Sequence, residues 1–350
     1  MRSLLALALM LAGCATTPPA APPPPLVTEA AMRATIAALS SDDFLGRMAG
    51  TAGADRAAAY IAERFRAAGL REAPGGYLMP FTVDRKPTAL PDAKTKLPPG
   101  QLYFTQQMNK RGAFVAHNVV GMVPGRASDG RAVVVMAHYD HLGICAPEGA
   151  ADRICNGAVD NASGTAALVA VAENVTKMRL DRDVWFVATS AEEWGLLGAK
   201  AFADSPPLPL ASIIAGFNLD TIAVAPSGAP VAMVAAKGVG LEPLVRDAAR
   251  TMNRAWDGDD EAASFLQRQD GWALAQHGVP MIMAGGSFSD FKLLRAFLDS
   301  TYHSPADELL PGTPLGGAVD DANLHVELVR RAASRSLYPS FAAVPHLGRR

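Results

Sequence analysis

Apolar runs recur along this chain, and several of them end on, or lead into, acidic or imidazole side chains. The β-branched run Val133-Val134-Val135 predicts a buried strand that stops at His138-Tyr139-Asp140-His141. His117–Val123 predicts the strand before it. Asp183–Ser190 (DVWFVATS) predicts another, followed by Ala191-Glu192-Glu193. Ile213–Leu219 leads into Asp220, and Val279–Ala284 precedes Tyr302-His303. Val231–Ala235 adds a short strand. Between these runs, apolar residues at helical spacing predict helices over Val27–Leu39 with Thr28 as N-cap, and over Gly53–Leu70 closed by Gly69. Further helices are expected over Ala162–Thr176, Gly195–Ala203, Gly240–Arg254 and Asp320–Arg335. Ser40–Ala52, with Leu45-Gly46-Arg47 inside it, reads as a turn-rich link, and Arg85–Gln106 as the least regular stretch. Strands alternating with helices predict an α/β, three-layer sandwich: a mixed, mostly parallel central sheet with helices on both faces.

Open α/β folds place their chemistry at the carboxyl ends of sheet strands. His138, Asp160, Glu192, Glu193, Asp220 and His303 all follow such runs or open the next helix. Together they form a cluster of carboxylates that would repel itself without cations. Two imidazoles and several carboxylates, with no thiolate, suit zinc better than manganese or cobalt. Asp160, Glu193 and Asp220 contribute three negative charges. Two divalent ions and one hydroxide balance them, as in two-metal hydrolytic sites.

The motifs His138-x-Asp140, Gly157-Ala158-Val159-Asp160-Asn161-Ala162-Ser163-Gly164, Glu192-Glu193, Asn218-Leu219-Asp220 and Tyr302-His303-x-x-x-Asp307 occur in this order. In this respect the chain resembles the aminopeptidase Y family of two-zinc peptidases. That family also contains bacterial leucine aminopeptidases, glutamate carboxypeptidases and glutaminyl cyclases. The resemblance runs from about Ser40 to Asp307. It implies two zinc ions per chain, one held by His138, Asp160 and Asp220, the other by Glu193 and His303, with Asp160 bridging. It further implies Glu192 as general base on the water between the ions and Tyr302 as a stabiliser of the oxyanion. Asp140 is expected to hold the His138 tautomer, and Asp307 to support the site from behind. In relatives the peptide bond after the bridging aspartate is cis, so a cis Asp160–Asn161 bond is expected. The implied reaction is removal of N-terminal residues from peptides. A glutaminyl cyclase, a carboxypeptidase, or a lipid-anchored binding module on a dead peptidase are the alternatives. Retention of Glu192 and every ligand position speaks against the last. Where relatives often carry Ser-Asp-His-x-x-Phe, this chain has Gln269-Asp270-Gly271, which alters the expected pocket wall.

The amino-terminal segment MRSLLALALMLAGC reads as a secretory signal, residues 1–13, with Leu11-Ala12-Gly13-Cys14 resembling a lipobox and Cys14 as the lipidated residue. Residues 14–27 read as a Pro-rich tether and 28–345 as a single catalytic domain with too few residues for a protease-associated insert. The expected location is therefore the outer membrane, facing the periplasm. Cys145 and Cys155 remain. An even pair in an exported protein suggests a disulfide. A pair of zinc thiolates is the competing reading, disfavoured by the wide spacing and by the supply of nitrogen and oxygen donors. His141 follows the first motif at the margin of the site; His117, His277, His325 and His346 read as surface or packing residues. The net charge of −2, with no basic block, implies no nucleic-acid partner, and the oligomeric state is not legible.

Overall fold

The computed structural model describes residues 27–84, 86 and 97–338. The expected signal segment, Cys14, all of the tether except Val27, and His346 lie outside the described residues. In chain order the elements are α1 (Glu29–Leu39), α2 (Ala52–Ala68), β1 (Arg71–Glu72), β2 (Leu78–Val83), α3 (Gln101–Lys110), β3 (Phe114–Val123), β4 (Ala132–His138), β5 (Gly143–Ile144), β6 (Ile154–Cys155), α4 (Gly164–Val175) and β7 (Asp183–Thr189). There follow α5 (Leu197–Asp204), β8 (Ile213–Asn218), β9 (Ala232–Ala235), α6 (Glu242–Thr251), α7 (Gly271–Ala275), β10 (Met281–Gly285), α8 (Phe291–Ser300) and α9 (Gly316–Ala332).

Eight strands form one mixed sheet in the order β1-β3-β7-β4-β8-β10-β9, with β2 also paired to β3. The centre, β7-β4-β8-β10, is parallel, and the flanking pairs are antiparallel. Alternation along the strands builds two cores. Val133, Val135 and Ala137 of β4 face the side covered by α1, α2, α4, α6 and α9. Val134 and Met136 face the side covered by α5 and α7. With both faces covered, all seven residues of β4 are buried, which is why its sequence is continuously apolar from Ala132 to Ala137. Among the described residues, no helix is long and apolar enough to cross a membrane.

Local signals account for some of the element ends. Thr28 caps α1 by accepting from Ala31 N, and Gly69 ends α2 at φ 84°, a left-handed position where glycine carries no Cβ penalty. Two elements are not anticipated from the sequence. β2 contains Pro80, which argues against a central strand, but β2 lies at the edge of the sheet and pairs with β3 alone, where a missing N–H is tolerated. Within the stretch expected to be irregular, α3 starts at Gln101 and buries Phe104, Thr105 and Met108 at helical spacing.

Cys145 and Cys155 are joined by a disulfide, with Cα atoms 5.7 Å apart. It closes the hairpin of β5 and β6, which packs on the link before α2. There Leu45, Gly46 and Arg47 all take left-handed φ. A Cβ on Gly46 would lie 2.4 Å from Cys155 O, so the close approach of link and hairpin requires glycine.

Candidate metal centre and its pocket

Sheet register brings the strand ends together. His138 sits opposite Thr189, and Met136 opposite Asn218, so the residues that follow β4, β7 and β8 emerge side by side. His138 closes β4, Glu192 and Glu193 follow β7, and Asp220 follows β8. Asp160 comes from the widened turn Ala158–Ser163 that leads into α4, and the Asp160–Asn161 peptide is cis. His303 arrives from the loop after α8.

Asn161 ties three of these segments together. Its amide donates to Leu219 O at 2.9 Å and His138 O at 3.3 Å, while its Oδ1 accepts from Gly164 N at 2.9 Å and Thr221 N at 3.2 Å. Asp307 accepts from Val159 N at 2.8 Å and Asp160 N at 3.0 Å, which fixes the backbone that presents the Asp160 carboxylate.

The donor atoms fall into two groups that share Asp160. His138 Nε2 is 3.3 Å from Asp160 Oδ1 and 3.5 Å from Asp220 Oδ1. On the other side, His303 Nε2 is 3.1 Å from both Asp160 Oδ2 and Glu193 Oε2. In each group one donor atom per residue lies within 4.8 Å of the others, spacing that could hold a metal ion. Asp160 Oδ2 and His303 Nε2 are buried and make no hydrogen bond despite their proximity. Buried donor atoms that converge without a hydrogen bond between them are what a cation would satisfy.

The second group also contains His141, which the sequence placed only at the margin. Its Nδ1 is 2.9 Å from Glu193 Oε1 and 3.8 Å from Asp160 Oδ2. Two further residues carry functions that sequence reasoning missed. Gln101 Oε1 lies 2.6 Å from His303 Nδ1, and accepting the proton there orients the ring with Nε2 toward the carboxylates. Arg47, wholly buried, donates to Tyr139 O at 2.7 Å, Asn156 O at 2.6 Å, Leu39 O at 2.5 Å and Gly157 O at 3.0 Å. It clasps the segments on either side of the disulfide hairpin and places a cation beneath the acidic cluster. The Leu45-Gly46-Arg47 turn was the available signal for Arg47; a neutral glutamine offers none.

Asp140 acts differently from expectation. Its carboxylate stands 3.8 Å from His138 Nδ1, and the ring nitrogen instead faces its backbone carbonyl at 3.2 Å. The carboxylate accepts from Glu192 N at 3.0 Å, so it positions the Glu pair.

Burial and neighbouring charge set the protonation of the protein groups. Burial, reinforced by Glu193, Asp270 and Asp220, raises Glu192 well above the carboxylate range, although His138 opposes this. Burial likewise lifts Asp140 to about 8, Asp307 to about 7 and Asp270 to about 6. Burial also acts to raise Asp160, but the adjacent imidazoles of His138 and His303 outweigh it and hold Asp160 well below its usual value. Burial acts to lower His303, yet Glu193 and Asp160 hold it up at about 9.

A pocket with about 450 Å³ of atom-free space opens on His138, Asp160, Glu192 and Asp220. Its farther wall is largely apolar, with Phe265, Met283, Phe288, Leu294 and Leu298 beside Tyr302. The Tyr302 ring stacks on His303 at 3.7 Å. Gln269, from the altered motif, lines the pocket and bonds its own loop, accepting from Gly271 N at 2.7 Å. Asp270 accepts from the Thr189 hydroxyl and so pins that loop to the end of β7.

A family model described as Peptidase family M28 matches residues 118–312. The alkaline phosphatase isozyme conversion protein of Escherichia coli K12 is 30% identical over 167 residues, 45% of this chain and 41% of that protein. Aminopeptidase YwaD of Bacillus subtilis 168 is 30% identical over 109 residues, 31% of this chain and 22% of that protein. The matched segments thus span less than half the length of these curated relatives. The solved structure of BSAP, a zinc aminopeptidase from Bacillus subtilis, superposes with a TM-score of 0.62 at 16% identity, covering 91% of this chain and 98% of that one. At that identity the likeness is one of fold.

Proposed function

The chain belongs to peptidase family M28, and from that membership we propose that it is a zinc-dependent exopeptidase, an aminopeptidase that removes N-terminal residues from peptides. The observation that carries the reading is the pair of donor groups sharing Asp160, in a pocket that Glu192 also lines. His138, Asp160 and Asp220 would hold one zinc; Asp160, Glu193 and His303 would hold the other, with His141 beside them. Two bound zinc ions supply Lewis acidity toward the scissile carbonyl and acidify the attacking water. Glu192 takes the proton from that water and passes it to the leaving amine, as a carboxylate that lines the pocket beside the donor groups and belongs to neither. The Tyr302 hydroxyl donates to the carbonyl oxygen as it gains charge. Gln101 and the Asp140 carbonyl keep the two imidazoles oriented, and Asp307 keeps Asp160 in place. Residues 28–345 serve as one catalytic unit in this reading.

The reading is tested by incubating the purified protein with zinc and a peptide library and mapping termini by mass spectrometry. Trimmed amino termini are expected. Loss of carboxyl-terminal residues would indicate a carboxypeptidase, pyroglutamate a cyclase, and an unaltered library would contradict the enzymatic reading altogether.

We also propose that the protein is exported and anchored by lipid on Cys14 in the outer membrane. Cys14→Ser should then move it from the membrane fraction to the soluble fraction, or stall it unprocessed. A variant that still sediments with membranes, correctly processed, would contradict the anchor.

A further inference from the structure

The apolar wall of the pocket carries one charged group among the described residues that the mechanism does not use. Arg268 lines the pocket together with Glu192, Gln269 and Tyr302. Its backbone N–H donates to Phe265 O at 3.0 Å, and its guanidinium carbon stands 5.3 Å from the centre of the Phe265 ring. A planar guanidinium over an aromatic face is held in orientation without using its N–H donors. No carboxylate of the described residues lies within ion-pairing distance of it, although most of the other arginines described here have acidic or carbonyl partners.

The surroundings define what would meet this cation. Asp160, Asp220 and Glu192 share the lining of the pocket with Phe265, Met283, Phe288, Leu294 and Leu298. A substrate group that suits such a wall has an apolar stem and an anionic tip. Guanidinium and carboxylate match in geometry and can form two parallel hydrogen bonds. An apolar wall alone discriminates weakly between side chains of similar size, whereas a charged partner discriminates by the pairing it loses.

We propose that Arg268 makes this pocket a carboxylate-recognising subsite, so that the preferred substrates carry a carboxylate one short apolar stem away from the scissile bond. The source is either an acidic side chain on the residue removed or the free carboxyl terminus of a short peptide. The inference rests on the hydrolytic reading above, since it names the substrates of that same site. Arg268 is exposed, so solvent weakens the pairing. The expected selectivity is about tenfold, the lower end for a hydrogen bond to a charged group.

The test has a binding arm and a turnover arm. Binding is measured by calorimetry on the zinc-loaded Glu192→Gln protein, with Arg268 intact and with Arg268→Gln added. The probes are Glu-Ala-Ala-Ala amide against Gln-Ala-Ala-Ala amide, and Leu-Ala against Leu-Ala amide. Turnover of the same peptides is followed with Glu192 present. One pair should show an acid-over-neutral preference of about tenfold with Arg268 that collapses toward unity in Arg268→Gln and returns in part with Arg268→Lys. Preference within the first pair assigns the side chain; preference within the second assigns the peptide terminus. Equal binding of acid and neutral peptides, or a preference that survives Arg268→Gln, overturns the subsite. Acid-selective binding without any cleavage upholds the subsite and instead contradicts the peptidase reading.

Discussion

Glu192→Gln is expected to lower turnover by about 10²–10⁴-fold, the typical contribution of a general base, while zinc content stays at the level of the unaltered protein. The separation follows from geometry. Both donor groups are complete without Glu192, which is absent from each. Its backbone N–H is held by Asp140, an anchor that Gln would keep. Glutamine retains the size and the carbonyl of the side chain but cannot accept the proton of the attacking water. Kinetics on a peptide substrate, with metal analysis on the same preparation, measures both quantities. Loss of zinc along with activity would mean that Glu192 is itself a ligand and that its role and that of Glu193 have been exchanged.

Asp160→Asn should have the largest effect on metal binding, because Asp160 is the residue common to both groups. The amide keeps one oxygen donor, but its nitrogen is no ligand, and the negative charge that both donor groups share is lost. Both ions should bind more weakly, by more than the roughly 10–100-fold that follows loss of an outer hydrogen-bond partner. Turnover should fall in parallel and recover only in excess zinc. The fold should persist, since Asp307 holds the backbone N–H groups of Val159 and Asp160. Competition with a chromophoric chelator checks the affinity. A variant that keeps both ions at unaltered affinity would remove Asp160 from the bridging position.

The parts of the fold legible in the sequence are those where burial imposes a simple pattern. β4, β7 and β8 lie in the middle of the sheet, so their residues are apolar apart from the strand ends, and the polar residues at and after those ends stand out. The principal ligand candidates were therefore visible as interruptions. The supporting residues were harder to see. Gln101 is 202 residues from His303 and sits behind Pro98-Pro99-Gly100, a stretch whose composition suggests no helix and whose neutral amide suggests no site. Arg47 enters the core because three consecutive residues take left-handed φ, a conformation the sequence signals only at Gly46. His141 follows the first motif at a spacing that fixes neither which way its ring turns nor that Glu193 receives it. Asp140 shows the converse: proximity in sequence to His138 suggested a carboxylate–imidazole contact, and the backbone carbonyl makes the contact instead.

The account rests most heavily on two metal ions sharing Asp160. Zinc titration of chelator-stripped protein, with bound metal counted after gel filtration and peptide cleavage assayed at each point, tests this most directly. Two zinc ions per chain are predicted, with full activity only when both are present. Saturation and full activity at one zinc per chain, or cleavage that survives complete removal of metal, would contradict it.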